Sequence, residues 1–459
     1  MNGENISRRD FLKTAGTGAL ALGAAATGCG PREGKVRPSS APGPSGPGTA
    51  GMAYRTDPHT GAQVSLLGYG CMRWPMTRDA DGKEVIDQEK VNELVDHAIA
   101  HGVNYFDTSP VYLRGESEKA TGIALARHPR DKWLIATKLS NFGNSGREAS
   151  IRMYEDSFRE LQTDWFDYYL LHSIGRGGFQ AFLQRYSDNG MIDFLLKERE
   201  SGRIRNLGFS FHGSAAEFDE LMKVHDRYHV DFVQIEMNYI DWKHADGVRN
   251  ANADYLYEQL DQRGIPIVVM EPLLGGRLAG VPDNIAARFK ERDPAASAAS
   301  WAFRFVGTHP RILTVLSGMT YMDHLVDNLK TFEGFVPLTD EELEFMEEMA
   351  VLMKEYPTVN CTNCQYCMPC PYGIDIPGIF AHYNRCIGEG IVPQNPAQEG
   401  YKKLRKAYLA SYNKAIPTLR QADHCIGCRQ CMVHCPQSIA IPEELHRIDR
   451  YIERLKQGV

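Results

Sequence analysis

The stretch Asn104-Tyr105-Phe106-Asp107-Thr108-Ser109-Pro110-Val111-Tyr112 decides how this chain is read. Residues 103–106 are an apolar-flanked run, the pattern of a short buried strand. Thr108, Ser109 and Pro110 then break that run into a loop. Asp107 thus stands at the carboxyl end of a strand, with Tyr112 in the loop beyond. Two later strands end in the same manner. Trp133-Leu134-Ile135-Ala136-Thr137-Lys138 closes on Lys138, and Phe166-Asp167-Tyr168-Tyr169-Leu170-Leu171-His172 closes on His172. In parallel α/β proteins that end of the sheet is where chemistry collects. An Asp, a Tyr, a Lys and a His at successive strand ends form a coherent proton-transfer set.

Working outward, strands are expected at 63–70, 103–107, 133–138, 166–172, 204–210, 232–238, 267–271 and 312–317. Helices fall between them, at 88–100, 150–161, 215–228 and 255–263. The first of these places Val91, Leu94, Val95, Ala98 and Ile99 on one face. Eight strands alternating with crossover helices predict an α/β fold, a closed (β/α)8 TIM barrel. No Gly-x-Gly-x-x-Gly follows a strand, which argues against a dinucleotide-binding open sheet. The Gly16-to-Ala21 run has no strand before it.

The set Phe106-Asp107-Thr108-Ser109-Pro110-Val111-Tyr112, Gly115-Glu116-Ser117-Glu118, Ala136-Thr137-Lys138 and Leu171-His172 resembles the aldo/keto reductase family. All four positions of that family's Asp-Tyr-Lys-His tetrad are occupied. The resemblance runs from about Tyr54 to Phe335. It implies a β/α barrel and hydride transfer between a nicotinamide and a carbonyl carbon.

On that reading Tyr112 gives the proton to the carbonyl oxygen. A free tyrosine, with a pKa of about 10, is a weak acid at neutral pH. A cationic Lys138 close by is expected to make it stronger. Asp107 pairs with Lys138 and holds it, and His172 donates a hydrogen bond to the same oxygen. The resemblance also implies a cofactor groove. Ser210 and Gln234 are the expected carboxamide and ring contacts, with Asn238, Glu271, Pro272 and Leu273 beyond. Ser317, Gly318, Asp327 and Asn328 fall at the adenosine end. Between Gly318 and Leu325 there is no Arg or Lys to hold a 2′-phosphate, so the nicotinamide is NADP or NAD. The paired histidines His97/His101 and His225/His229 lack the glutamate of a zinc-protease helix and read as surface residues.

The net charge of −7 over 459 residues argues against a nucleic-acid binder. Residues 1–30 form a twin-arginine signal segment: Ser7-Arg8-Arg9-Asp10-Phe11-Leu12-Lys13 precedes a short apolar run. Cys29, after Ala26-Thr27-Gly28, is a candidate lipid-anchor site, with plain cleavage as the alternative. Residues 31–52 are a Pro/Gly/Ser linker, 53–335 the barrel and 336–459 a separate cysteine-rich domain. The implied location is the periplasm or cell envelope.

Of eleven cysteines, nine lie between Cys361 and Cys435, a clustering that points to metal ligation. Cys425-x2-Cys428-x2-Cys431-x3-Cys435-Pro436 has the bacterial ferredoxin spacing. Cys361, Cys364, Cys367 and Cys370-Pro371 repeat it with one residue fewer. Each run is followed by Ile-Pro, at Ile376-Pro377 and Ile441-Pro442. The echo predicts a ferredoxin-like domain with 4Fe-4S clusters, two by the full count and one at minimum. By ferredoxin logic one takes Cys361, Cys364, Cys367 and Cys435, and the other Cys425, Cys428, Cys431 and Cys370. Cys386 is a spare thiol or a substitute for Cys370. The segment from Tyr401 to Ala422 carries six cations and no acid. It is either a solvated helix face or a docking face for an acidic redox partner protein or anionic lipid.

Two functions are compatible with these motifs. One is an oxidoreductase acting on a small-molecule carbonyl or alcohol, fused to iron–sulfur electron transfer. The other is an electron-transfer subunit whose barrel is scaffold.

Overall fold

Alternate residues along the barrel strands explain how one small end of the molecule collects polar side chains. The computed structural model describes residues 51–245, 250–393, 396–397 and 399–458. The twin-arginine segment, Cys29 and most of the linker lie outside the described residues. Eight parallel strands close on themselves: β3 (Leu67–Gly70), β6 (Tyr105–Asp107), β7 (Leu134–Leu139), β8 (Phe166–Ile174), β9 (Ile204–Phe211), β10 (Phe232–Glu236), β11 (Ile267–Met270) and β12 (Ile312–Ser317). The closing pair joins β12 to β3 through Val315–Leu67 and Ser317–Tyr69.

The interior is a packed core of Tyr105, Ala136, Tyr168, Leu170, Phe232, Val268, Leu313 and Leu316, with Val64 below. Strand side chains alternate faces with a period of two. Two residues beyond Tyr105, Ala136, Leu170 and Phe232 come Asp107, Lys138, His172 and Gln234, so these stand in the layer above the apolar filling. The pairing of β8 with β9 shifts register between Leu171 and Ile174, next to His172.

The expected first strand, 63–70, is divided. β1 (Tyr54–Thr56) and β2 (Gln63–Ser65) form a hairpin that plugs the lower end, where the Tyr168 hydroxyl donates to Asp57 at 2.6 Å. Only β3 enters the barrel. A second hairpin, β4 (Met76–Arg78) with β5 (Glu84–Ile86), lies outside the barrel.

The helix Asp340–Lys354 begins at a Thr339/Glu342 capping box and buries Met346, Met349, Ala350 and Met353 in the barrel's own core. The barrel unit therefore runs on to Lys354, past the boundary at 335 expected from sequence. Beyond it a second core gathers Ile376, Ile379, Phe380, Tyr408, Tyr412, Leu445, Ile448 and Ile452. Its helices are Ile376–Gly388, Tyr401–Ala415 and Ile441–Gln457. Among the described residues no helix is long and apolar enough to cross a membrane.

Candidate active site

Asp107, Tyr112, Lys138 and His172 meet at the carboxyl mouth of the barrel, and all four are buried. The Lys138 ammonium donates to Asp107 Oδ1 at 2.5 Å and to the Thr108 carbonyl at 2.8 Å. It lies over the Tyr112 ring, 4.9 Å from its centre. Burial pushes the Asp107 carboxyl up and the Lys138 ammonium down, each opposed by its partner. A dry pair of this kind is held by mutual attraction and exposes neither charge.

Tyr112 sits where Leu113 and Arg114 take left-handed backbone angles (φ 49° and 59°). Its amide donates to Ser109 O at 3.1 Å. The turn is tied down by Thr108 and Ser117, whose hydroxyls lie 2.9 Å apart, and by Ser117 donating to Cys71 O at 2.8 Å. The phenol's pKa is raised well above its ordinary value, first by burial and then by the neighbouring Tyr366 and Asp107. This corrects the sequence expectation that Lys138 makes Tyr112 more acidic. Lys138 is committed to Asp107, so desolvation dominates, and Tyr112 keeps its proton at neutral pH.

His172 is anchored from behind. Its Nδ1 hydrogen-bonds the Ser140 hydroxyl, and Ser109 Oγ lies 3.4 Å from the same nitrogen. Arg185 donates to the His172 carbonyl at 2.7 Å and to Asn141 Oδ1 at 3.1 Å. Burial, then Lys138 and Arg185, drive the His172 pKa well below its ordinary value. The ring is therefore neutral. In the tautomer whose Nδ1 accepts from Ser140, Nε2 carries the hydrogen and is the free donor of the ring. The Tyr112 and His172 rings stand edge to face, 6.0 Å between centres. One oxygen placed between them receives two donors, the arrangement that stabilises a developing alkoxide.

Of the expected cofactor contacts, Ser210 accepts a hydrogen bond from the Ser173 amide at 2.8 Å. Gln234 Oε1 and Ser173 Oγ are buried and have no partner among the described residues. A buried amide oxygen left open costs free energy until a donor arrives, and a carboxamide supplies one. The remaining candidates are engaged within the chain. Asn238 caps its own turn, accepting from the Ile240 and Asp241 amides and donating to Asp241 at 2.7 Å. Glu271, next to Pro272 and Leu273, accepts from the Gly275 amide at 2.7 Å; burial raises its pKa to about 7. Asn328 donates to Ser317 Oγ at 2.9 Å, and Asp327 accepts from Ser297 at 2.7 Å. Gly318 is overlaid by the Arg73 side chain, a cation that the sequence reading had not placed there.

The cysteine-rich region is seated on this same mouth. Arg73 donates to the Thr362 carbonyl, and Arg277 donates to Thr358 and, at 2.9 Å, to Asn360. Arg176 donates to Val433 O at 2.6 Å, and Gln437 donates to Glu236 at 2.9 Å. Cys361, Cys364, Cys367 and Cys435 line one cavity with Ile376, Phe380 and Ile439. Cys370, Cys425, Cys428 and Cys431 are close enough to perturb one another's charge. Among the described residues no three or more His, Cys, Asp or Glu converge as they would on a single metal ion. Cys386 belongs to neither set; it is buried between helices with its sulfur 3.5 Å from His382 Nε2.

A model of the Aldo/keto reductase family matches residues 66–351. Protein tas of Escherichia coli (strain K12) is 24% identical over 329 residues, covering 61% of this chain and 93% of its own. Methylglyoxal reductase YeaE of the same organism is 27% identical over 306 residues, 64% of this chain and 92% of its own. An aldo-keto reductase from Klebsiella pneumoniae, solved in complex with NADPH, superposes with a TM-score of 0.51 at 23% identity, covering 65% of this chain and 96% of its own.

Proposed function

This chain belongs to the aldo/keto reductase family, and from that footing we propose that it interconverts a carbonyl and an alcohol, with Tyr112 as the proton donor. The observation that carries the reading is the convergence of the Tyr112 and His172 donors above the dry Lys138–Asp107 pair. His172 Nε2 orients the carbonyl oxygen. Tyr112 delivers its proton there as negative charge builds. Lys138 stays paired with Asp107 against the Tyr112 ring.

NADP or NAD, when bound, supplies the hydride. The open Gln234 oxygen and the Ser173 hydroxyl, beside Ser210, fit its carboxamide. The similarity to relatives with bound NADPH supports the phosphorylated form, with Arg73 as the cation nearest Gly318. Methylglyoxal, named for one relative, makes small aldehydes the first substrates to try.

The cysteine-rich domain holds two 4Fe-4S clusters in this reading. A 4Fe-4S cube takes one thiolate at each iron, so its ligands ring a cavity and do not meet at a point. The ring of Cys361, Cys364, Cys367 and Cys435 fits that demand. The second set, Cys370, Cys425, Cys428 and Cys431, lies toward the surface, where Cys428 is exposed and Ile426 and Val433 are 63% and 73% exposed. It is the side from which a redox partner protein delivers or removes single electrons. The twin-arginine segment sends the loaded protein to the periplasm or envelope, with Cys29 as a lipid anchor.

The test is isotopic. Protein supplied with NADPH in which both hydrogens at nicotinamide C4 are deuterium, and with 4-nitrobenzaldehyde, should yield alcohol with one deuterium on the former carbonyl carbon. Alcohol formed without the label would remove the nicotinamide from the reaction. It would favour electron delivery through the clusters.

A further inference from the structure

The cysteine-rich loop does more than sit beside the barrel. Asn363 and Gln365 take left-handed backbone angles (φ 54° and 64°), unusual for residues with a β-carbon. These two bends turn the intervening chain and point Tyr366, between Cys364 and Cys367, into the mouth. Its ring stands edge-on to His172 with centres 6.4 Å apart. Its phenol interacts directly with the Tyr112 phenol. Arg176 flanks it on the side of the cysteines. The loop cannot lift freely: Arg73 and Arg277 hold Thr362, Thr358 and Asn360, and Thr362 Cα lies 2.4 Å from where a β-carbon on Gly275 would be.

Any oxygen held by Tyr112 and His172 therefore has Tyr366 as its next neighbour across the mouth. We propose that Tyr366 is a substrate-contacting residue, so that the carbonyl pocket is complete only when Cys364 and Cys367 are drawn onto one iron–sulfur cluster. The inference rests on the reductase reading above and goes beyond it. The cluster loop builds one wall of the barrel's pocket, and the substrate is held between two domains. Substrate affinity then follows the state of the cysteine-rich domain. Selectivity is set partly by a residue outside the barrel.

The experiment uses the full chain with its iron. Tyr366→Phe and Tyr366→Ala are compared with wild type and with Tyr372→Phe, a change at a side chain 45% exposed. KM and kcat are read with 4-nitrobenzaldehyde and NADPH. The Kd of 4-nitrobenzyl alcohol is read independently by calorimetry, and visible absorption reports the clusters. Losing one neutral hydrogen bond lowers affinity by roughly three- to tenfold. Tyr366→Phe should raise KM and Kd by about that factor, with kcat nearly unchanged, and Tyr366→Ala should raise them further. Tyr372→Phe should change neither. Removing iron from wild type with a chelator should raise the alcohol Kd about tenfold. If Kd stays within about twofold in Tyr366→Phe with clusters intact, or in the iron-free protein, the proposal is wrong. A wild type that binds no alcohol overturns it as well. Failure of deuterium transfer counts against the reductase reading alone, since alcohol binding is measured without turnover.

Discussion

Replacing Lys138 by Met strands Asp107. The two side chains are 1% and 3% exposed and 2.5 Å apart. Asp107 Oδ2 already has no partner among the described residues, so the substitution leaves both carboxylate oxygens bare. Breaking one side of a buried pair costs roughly 3–5 kcal/mol. The stranded carboxyl escapes part of that cost by taking a proton. Its folded pKa then lies above its unfolded value, so its contribution is fully kept below the unfolded pKa, about 4. That contribution is lost as pH rises through the folded pKa. Lys138→Met should therefore be destabilised more at pH 8 than at pH 5, by more than about 1 kcal/mol. The double change Asp107→Asn/Lys138→Met should recover to within about 2 kcal/mol of wild type with little pH dependence, because no charge is left buried. Urea unfolding followed by tryptophan emission reads the barrel specifically. All five tryptophans (Trp74, Trp133, Trp165, Trp242 and Trp301) lie within it. Equal losses in the single and double variants, or an equal loss at both pH values, would refute the dry ion pair.

Three further outcomes follow from contacts around the site. Glu118 is buried, accepts from the Thr137 hydroxyl and has its pKa raised to about 7. Its stabilising contribution is therefore intact below about pH 4.5 and is lost as pH rises through about 7; Glu118→Gln should flatten that slope and exceed wild type by about 2–3 kcal/mol at pH 8, read by the same unfolding assay. Ser140→Ala frees His172 Nδ1 and should lower kcat about tenfold with KM little changed; steady-state kinetics decide it. Gly275→Val drives a side chain into Thr362 at a backbone φ of +68°. It should loosen the cysteine-rich loop and speed tryptic cleavage at Lys354 about tenfold.

Asp107, Lys138 and His172 were legible because each stands toward the carboxyl end of a strand whose apolar alternation is plain in sequence, and Tyr112 because it follows the first of these strands in the loop beyond. Tyr105, Ala136 and Leu170 point inward, and the residue two places on must point inward too. The ferredoxin spacing likewise grouped Cys361, Cys364 and Cys367 with Cys435, and these thiols line one cavity. Contacts between distant parts of the chain were not legible. Tyr366 meets His172, Arg73 meets Thr362 and Arg176 meets Val433 only because the cysteine-rich domain folds back over the mouth. No periodicity encodes that docking. The Tyr112 acidity was misjudged for a related reason. Charge proximity can be read from a motif, whereas the desolvation that outweighs it depends on everything packed around the phenol. The division of the first strand at Leu66 escaped notice because the plug hairpin and the barrel strand share one apolar run.

The central claim is that Tyr112 supplies the proton at a two-donor oxyanion site. The most direct measurement is kcat for 4-nitrobenzaldehyde with NADPH in Tyr112→Phe, with NADPH affinity and visible absorption recorded on the same preparation. Carbonyl reduction should fall by roughly a hundredfold or more while NADPH affinity and visible absorption are unchanged. Carbonyl reduction persisting near the wild-type rate would contradict it.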